Sequence, residues 1–530
     1  MTDFETTIRD AYTFDEPALR LGKAVHDGSL TEAEIGVPLS MLNRHGLIAG
    51  ATGTGKTVTL RVIAEQLSEA GVPVFMADIK GDLAALAEPG AADGPAPERA
   101  AELGFDYEPT TFPVEFLSLG GIGPGVPVRV TVSDFGPMLL AKILGANQTQ
   151  EDSLALVFRY ADQHGLPLLD LSDLRALLTF LESDEGKPEL DGIGGLASAT
   201  VGVLLRSLAK LEDGGGNELF GEPMFEVEDL LRVADDGRGV ISVLELAAAQ
   251  DKPALFSTAL MWLLGELFED LPELGDVEKP ELVFFFDEAH LLFDGATDAF
   301  LDAVANTVRL IRSKGVGVFF VTQQPTDVHE EVLSQLGNRV QHALRAFTPK
   351  DQKAIKLISQ TFPTSEFYDV EELITSTGTG EAAVTILSEK GAPSPLVHAR
   401  LAPPSSLLGP GGDVDALARS SPLWAEYGER IESESAREIL AGRLQSPADE
   451  EAGVGEEDEP ADAAKGRKRG KGKGRKRRSE RAKKEPTEQQ REASLATGKG
   501  AQAVGKFLTS SQGKSITSSV GRSLLGMLKK

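Results

Sequence analysis

Residues 46–60 read GLIAGATGTGKTVTL, and the fold turns on how they are understood. Gly46–Gly50 is a short apolar run of strand length, and the residues from Thr57 to Gly71 carry apolar side chains at helical spacing. Between them Gly50, Ala51, Thr52, Gly53, Thr54, Gly55, Lys56 and Thr57 fit the pattern G-x-x-x-x-G-K-[ST] in the place it must occupy, after a strand and before a helix. Glycines let such a loop curl so that successive N–H groups face one anion, and the helix N-terminus adds partial positive charge there. The expected nucleotide contacts therefore run from Gly50 through Val58. Lys56 would reach the terminal phosphates of ATP, and the Thr57 hydroxyl would ligate Mg²⁺. A chance glycine turn is the bland alternative, and the flanking strand and helix argue against it.

A phosphate loop needs acidic partners. Residues 282–293 read LVFFFDEAHLLF, an apolar strand ending in Asp287 and Glu288. In P-loop ATPases an Asp so placed holds Mg²⁺ and the following Glu polarises the attacking water; the alternative is two acids capping the next helix. The letters Asp-Glu-Ala-His also name a group of helicases. Those proteins need a second domain with a Gln/Gly/Arg-rich motif, and no QRxGRxGR-like stretch follows, so Ala289 and His290 are incidental to that name. A third strand, 316–322, ends in Thr322, Gln323 and Gln324. An amide there can touch both the γ-phosphate and the attacking water, or it can bond the next turn. In ADIKGDL, Asp78, Lys80 and Asp82 read either as a polar cluster near the nucleotide or as strand-end turn chemistry.

Outward from these motifs the chain reads as α/β. Strands are predicted at 46–50, 72–78, 126–132, 239–246, 281–287, 316–322 and 382–387, apolar enough for a parallel sheet covered on both faces. The division expected is an N-terminal extension 1–40 that supplies a strand or two, and an α/β ATPase domain 41–402. That domain would hold a mostly helical insertion at about 134–235. A helical extension 403–446, a disordered acidic then basic linker 447–490, and a short helical segment 491–530 complete it. The absence of Cys excludes disulfides, thiolate metal sites and cysteine nucleophiles, and seven scattered His make an imidazole metal site an unfavourable reading. The longest apolar run, 254–268, is shorter than the roughly 20 residues that span a bilayer. The start MTDFETTIRD is polar and acidic, so a cytoplasmic protein without an integral membrane segment is expected.

With these residues in hand, the chain resembles the HerA/FtsK branch of P-loop ATPases, and within it the bacterial helicase HerA-like C-terminal domain family. The likeness lies in IGVPLSMLNRHGLIAGATGTGKT, VFMADIKGDLAALA, LVFFFDEAHLLF, VRLIRSKGVGVFFVTQQPTDV and LGNRVQHALRAFTPKDQKAI, which follow one another in the family's order. The resemblance implies a RecA-like core that assembles as a ring, usually a hexamer, with ATP between subunits and hydrolysis coupled to moving DNA or, in secretion relatives, other polymers. It also implies arginines acting on a neighbour's nucleotide. Arg309, Arg312, Arg339 and Arg345 match the arginine-bearing stretches, with Arg345 and then Arg339 favoured, and for each a place on a solvated helix or strand edge is the alternative. The barrel domain of HerA itself has no counterpart in the roughly 40 residues before the phosphate loop, and the helical insertion replaces a shorter connection. Both departures touch the parts that choose partners, so ATP rests on more residues than DNA does. The competing reading is a nucleotide-dependent switch or scaffold acting on protein partners.

Net charge is −29, which argues against a nucleic-acid-binding surface over the whole molecule but leaves room for a local one. Residues 465–484, KGRKRGKGKGRKRRSERAKK, are dense in Lys and Arg with no apolar side chain, so they read as a disordered tether for nucleic acid or as a solubilising tail. No aromatic is interleaved, so base stacking is not supported. Deleting 465–484 is expected to weaken binding to DNA of any sequence and to flatten its salt dependence. Fluorescence anisotropy across a salt series checks this, and an unchanged slope overturns the tether.

Overall fold

The computed structural model describes residues 3–190, 194–275, 277–293, 298–388 and 390–451. The basic run 465–484 and the segment 491–530 lie outside them. Among the described residues twelve strands form one sheet: β1 (Ala18–His26), β2 (Ser29–Pro38), β3 (Gly46–Ala49), β4 (Val74–Asp78), β5 (Val114–Leu119), β6 (Val126–Val128), β7 (Ile241–Glu245), β8 (Leu282–Phe286), β9 (Val316–Thr322), β10 (Asn338–Gln341), β11 (Glu381–Thr385) and β12 (Val397–Leu401). Their spatial order is β2-β1-β12-β11-β10-β3-β9-β8-β4-β7-β5-β6. From β10 to β6 every pairing is parallel, and from β10 outward to β2 every pairing is antiparallel.

The parallel half explains its own sequence. β3, β4, β7, β8 and β9 are buried at every position, so each needs apolar residues on both faces. The three phenylalanines of β8 lock it to its neighbours. Phe284 meets Phe75 of β4 with ring centroids 4.8 Å apart, Phe285 meets Phe319 of β9 at 5.2 Å, and Phe286 meets Phe320 at 5.6 Å. The chain leaves β3 through helix α2 (Lys56–Glu69) and reaches β4 three places away, whereas it leaves β9 for β10 on the far side of β3. That reversal opens a crevice beyond the carboxyl ends of β3, β9 and β8, where ligands bind in open α/β sheets.

Several expectations need correction. The strand expected over 126–132 ends at Val128, and Val132 opens a helix that runs to Ile143, because Thr131 accepts a hydrogen bond from the Asp134 N–H as its N-cap. β5 went unread because Glu115 and Ser118 interrupt its apolar run, yet both are buried; Glu115 is paired with Arg232, and the Ser118 hydroxyl donates to the Gly125 carbonyl. β10, sequence NRVQ, looks like a loop but lies between β3 and β11. Residues 18–38, in the extension expected to supply a strand or two, do supply two long strands, closed by a turn at Asp27 and Gly28. Between β6 and β7 the chain forms helices at Val132–Ile143, Gln148–His164, Leu171–Glu182 and Ser198–Asp213. The last described helix, Ala436–Glu451, runs past 446 into the stretch expected to be linker. Among the described residues no helix is long and apolar enough to cross a membrane.

The antiparallel half is fastened by helix α1 (Asp3–Tyr12), whose Phe4, Ile8 and Tyr12 are buried. The Tyr12 hydroxyl stands 3.0 Å from the Val384 carbonyl and 2.6 Å from the Pro395 carbonyl, and it accepts from Ser394 Oγ at 2.8 Å. Tyr12→Phe removes these buried bonds and is expected to cost about 1–3 kcal/mol of stability, read from the denaturant midpoint.

Candidate nucleotide site

The phosphate loop is held from both sides. The Gly50 N–H donates to the Thr322 carbonyl that ends β9 (3.2 Å), and the Ala51 N–H donates to the Ala343 carbonyl beyond β10 (2.8 Å). Gly53 and Gly55 take left-handed backbone angles, φ +77° and +112°, which side chains disfavour. Gly55 is also the N-cap of α2 and offers no side-chain acceptor, so the first-turn N–H groups up to Val58 have no capping side chain. Lys56 is buried and folded across its own loop, donating to the Gly50 carbonyl at 2.7 Å and the Ala51 carbonyl at 3.3 Å. Burial, then the neighbouring charge of Lys80, pulls its pKa down. Thr57 and Val58 open the helix half-buried.

Two supports of this loop were not legible from the motif. His342, just past β10, bonds Thr59 of α2 through Nε2 (2.9 Å) and packs against Gly50, where an added Cβ would come within 2.5 Å of its own. The Thr54 carbonyl accepts from the Gly380 N–H at 3.0 Å. Both come from strands 280 or more residues downstream, and no local signal points to them.

Asp287 and Glu288 follow β8 at the next strand end but one. Both are buried, and the Glu288 N–H donates to Asp287 Oδ1 at 2.9 Å. Glu288 sits at φ +47°, an unusual backbone for a residue with a side chain. Lys80 Nζ lies 2.6 Å from Glu288 Oε1 and 3.6 Å from Asp287 Oδ2. His290 Nδ1 is 3.3 Å from Glu288 Oε2 but not aligned for a hydrogen bond, so that oxygen has no hydrogen-bond partner. The two acids respond differently. Burial dominates at Asp287 and raises its pKa; at Glu288 burial is outweighed by the bond and charge of Lys80, and the net shift is downward. Lys56 also interacts with both carboxylates, so loop and acids share one electrostatic site.

Behind Lys80 lies an acidic bed. Asp78 ends β4 and pairs in register with Glu245, which ends β7. Asp78 accepts from the N–H groups of Lys80 (3.0 Å), Gly81 (2.8 Å) and Leu83 (2.8 Å), so strand-end turn chemistry and a cluster near the carboxylates are both present. Burial lifts its pKa to about 6 against those bonds. Glu245 is pushed up to about 8 by burial and then by the charges of Asp78 and Asp82.

Gln323 is exposed and lines a cavity of about 460 Å³ with Ala51, Thr52, Gln324, Arg345 and Phe347. The turn beyond β9 is bonded instead by Thr322, whose hydroxyl donates to Asp327 (2.9 Å), and by the Gln324 N–H. Arg345 reaches this cavity and donates to the Thr375 carbonyl at 3.1 Å. Arg339 does not: it is half-buried in β10, bonded to Thr361 Oγ1 at 2.8 Å. Arg309, bonded to Asn306, and Arg312 lie just before β9 begins, at the opposite end of the parallel strands from their own chain's phosphate loop.

Nucleotide and Mg²⁺ fit these residues. The loop presents an uncapped helix N-terminus to an anion, and the orphaned Glu288 oxygen faces a site with two lysines. Among the described residues no three His, Asp or Glu groups converge to hold a metal. A divalent ion here would draw few protein ligands and leave the rest to phosphate and water, which suits Mg²⁺.

The sequence model for the family "Helicase HerA-like C-terminal" matches residues 24–530. The chain belongs to this family. It is 24% identical over 392 residues to the "DNA double-strand break repair helicase HerA" of Sulfolobus acidocaldarius, covering 70% of this chain and 67% of that protein. It is 22% identical over 379 residues to the HerA of Pyrococcus furiosus, covering 65% and 63%. Among solved structures, the bacterial conjugative coupling protein TrwBdeltaN70 aligns at TM-score 0.50 and 15% identity, over 76% of this chain and 94% of that one, a likeness of fold. The HerA-like chain thus has the RecA-like architecture that the family resemblance implied.

Glu245 of this HerA-like site makes stability depend on pH. Its folded pKa, about 8, lies above the ordinary 4.5, so the folded state binds a proton that the unfolded state lacks between those values. Its contribution is therefore full below pH 4.5 and is lost as pH rises to about 8. Glu245→Gln removes the titration. Its melting temperature is expected to gain on the wild type by several degrees from pH 5 to pH 8, measured by scanning calorimetry.

Proposed function

We propose that the chain is a Mg²⁺-dependent ATP hydrolase of the HerA/FtsK type, a motor that assembles as a ring, a hexamer by family resemblance, and moves DNA. The observation that carries this reading is the convergence of Lys56, Asp287 and Glu288 in one crevice beyond the parallel strands. The division into a RecA-like domain 41–402 with a helical insertion at 134–235 belongs to the same reading, as does a cytoplasmic location.

Each residue then has a task. The N–H groups of Thr52, Gly53 and Gly55 to Val58 hold phosphate oxygens, and Lys56 swings from its own loop carbonyls to the β- and γ-phosphates. Thr57 and Asp287 hold Mg²⁺, which when bound neutralises the charge developing on the phosphates. Glu288 takes the proton of the water that attacks the γ-phosphorus as the bond to ADP breaks. Gln323, exposed beside Ala51 and Thr52, senses the γ-phosphate. Arg345 supplies positive charge at the cavity mouth, to its own nucleotide or to a neighbour's; Arg339, bonded within β10, is a weaker candidate. The DNA part draws support from relatives named as DNA repair helicases.

Lys56→Ala is expected to abolish nucleotide binding in a fluorescent-ADP titration. Glu288→Gln is expected to keep that binding and to lower turnover by 10²-fold or more. Turnover near wild type in Glu288→Gln removes Glu288 from its role. DNA strongly raises the ATPase rate if the chain is a motor; a rate indifferent to DNA marks a nucleotide-dependent switch instead.

A further inference from the structure

Lys80 belongs neither to the phosphate loop nor to the carboxylate strand, and the proposed function gives it no task. Its position is nonetheless built. β4 and β8 are paired neighbours, Ala77 opposite Phe286, so the turn after one opens onto the turn after the other. The turn carrying Lys80 is fastened by the three N–H bonds to Asp78, so its backbone is held, while the side chain is 41% exposed. That tip lies within 4 Å of both Asp287 and Glu288. Two adjacent buried carboxylates without a counter-charge are costly, and truncating Lys80, which lies within ion-pair distance of both, leaves the more distant charge of Lys56 to offset that cost.

We propose that Lys80 is the positioning residue of Glu288: a cation carried by the protein that neutralises the Asp287–Glu288 pair while no divalent ion is bound, and gives way when one arrives. This rests on the nucleotide reading of the site. A divalent ion held by Asp287 would take the place of the ammonium as counter-charge, and the Lys80 side chain, 41% exposed as a whole, can turn to water while its backbone turn stays fastened. Glu288 is then freed from its 2.6 Å bond at the moment substrate is present. The carboxylate that activates water is thus occupied in the nucleotide-free protein and available only in the loaded one.

The test is thermal unfolding of the full chain as wild type, Lys80→Arg, Lys80→Gln, Glu288→Gln and the Lys80→Gln/Glu288→Gln double variant, each in EDTA and with Mg²⁺–ADP. In EDTA, Lys80→Gln is expected to melt several degrees below the wild type and Lys80→Arg close to it. The deficit of Lys80→Gln is expected to shrink in the Glu288→Gln background and to close with Mg²⁺–ADP. A deficit unchanged by both makes Lys80 a plain structural ion pair and overturns the proposal, as does no deficit in EDTA. If Lys80→Gln alone fails to fold, the double variant still decides, since the proposal requires it to fold. Absence of ATPase activity in the wild type would defeat the proposed function and leave the EDTA comparison readable.

Discussion

A charge buried at the end of an apolar strand must find a counter-charge, and in this protein the carboxylates of Asp287 and Glu288 impose that demand on everything near them. β8 is apolar along its whole length because both its faces are covered, so the chain's polarity changes abruptly where the strand stops. Lys80 reaches in from β4 and Lys56 adds its charge from the phosphate loop. Asp78 ties down the turn that presents Lys80, and Glu245 stands protonated behind it up to about pH 8. The result is a site in which carboxylates and ammonium groups are balanced against burial, as a site built to exchange one cation for another requires.

The phosphate loop depends on the sheet as much as on its glycines. Its first residues bond to the ends of β9 and β10, and its second half bonds to Gly380 just before β11. His342 fills the space under Gly50 and bonds the helix that the loop enters. These contacts keep the loop curled, with Lys56 lying across it. The antiparallel half of the sheet thus shapes the site although no residue of β1, β2 or β12 enters it.

The cavity beside Ala51 and Thr52 separates the four arginines, of which the sequence reading favoured Arg345 and then Arg339. Arg345 opens onto it, Arg339 is spent within β10, and Arg309 and Arg312 lie at the far end of β9. Phe347, 88% exposed at the same mouth, is the most exposed large apolar side chain among the described residues.

Taken alone, the sequence determined the phosphate loop, its strand and helix, the acidic pair on a second strand and the polar end of a third. Each is a local pattern: glycines at fixed spacing, an apolar run, a carboxylate where it stops. The mostly parallel sheet followed, since strands apolar on both faces suit no other arrangement. Only the tertiary structure decided what lies across from what. β5 and β10 carry polar residues whose burial is satisfied by partners far along the chain, so no local window reveals them as strands. Asp78, Lys80 and Asp82 read equally as a turn or as a site until the pairing of β4 with β8 set Lys80 against Glu288. Side-chain identity can be read from a string of letters, but an ion pair depends on distance, and here distance is set by strand order.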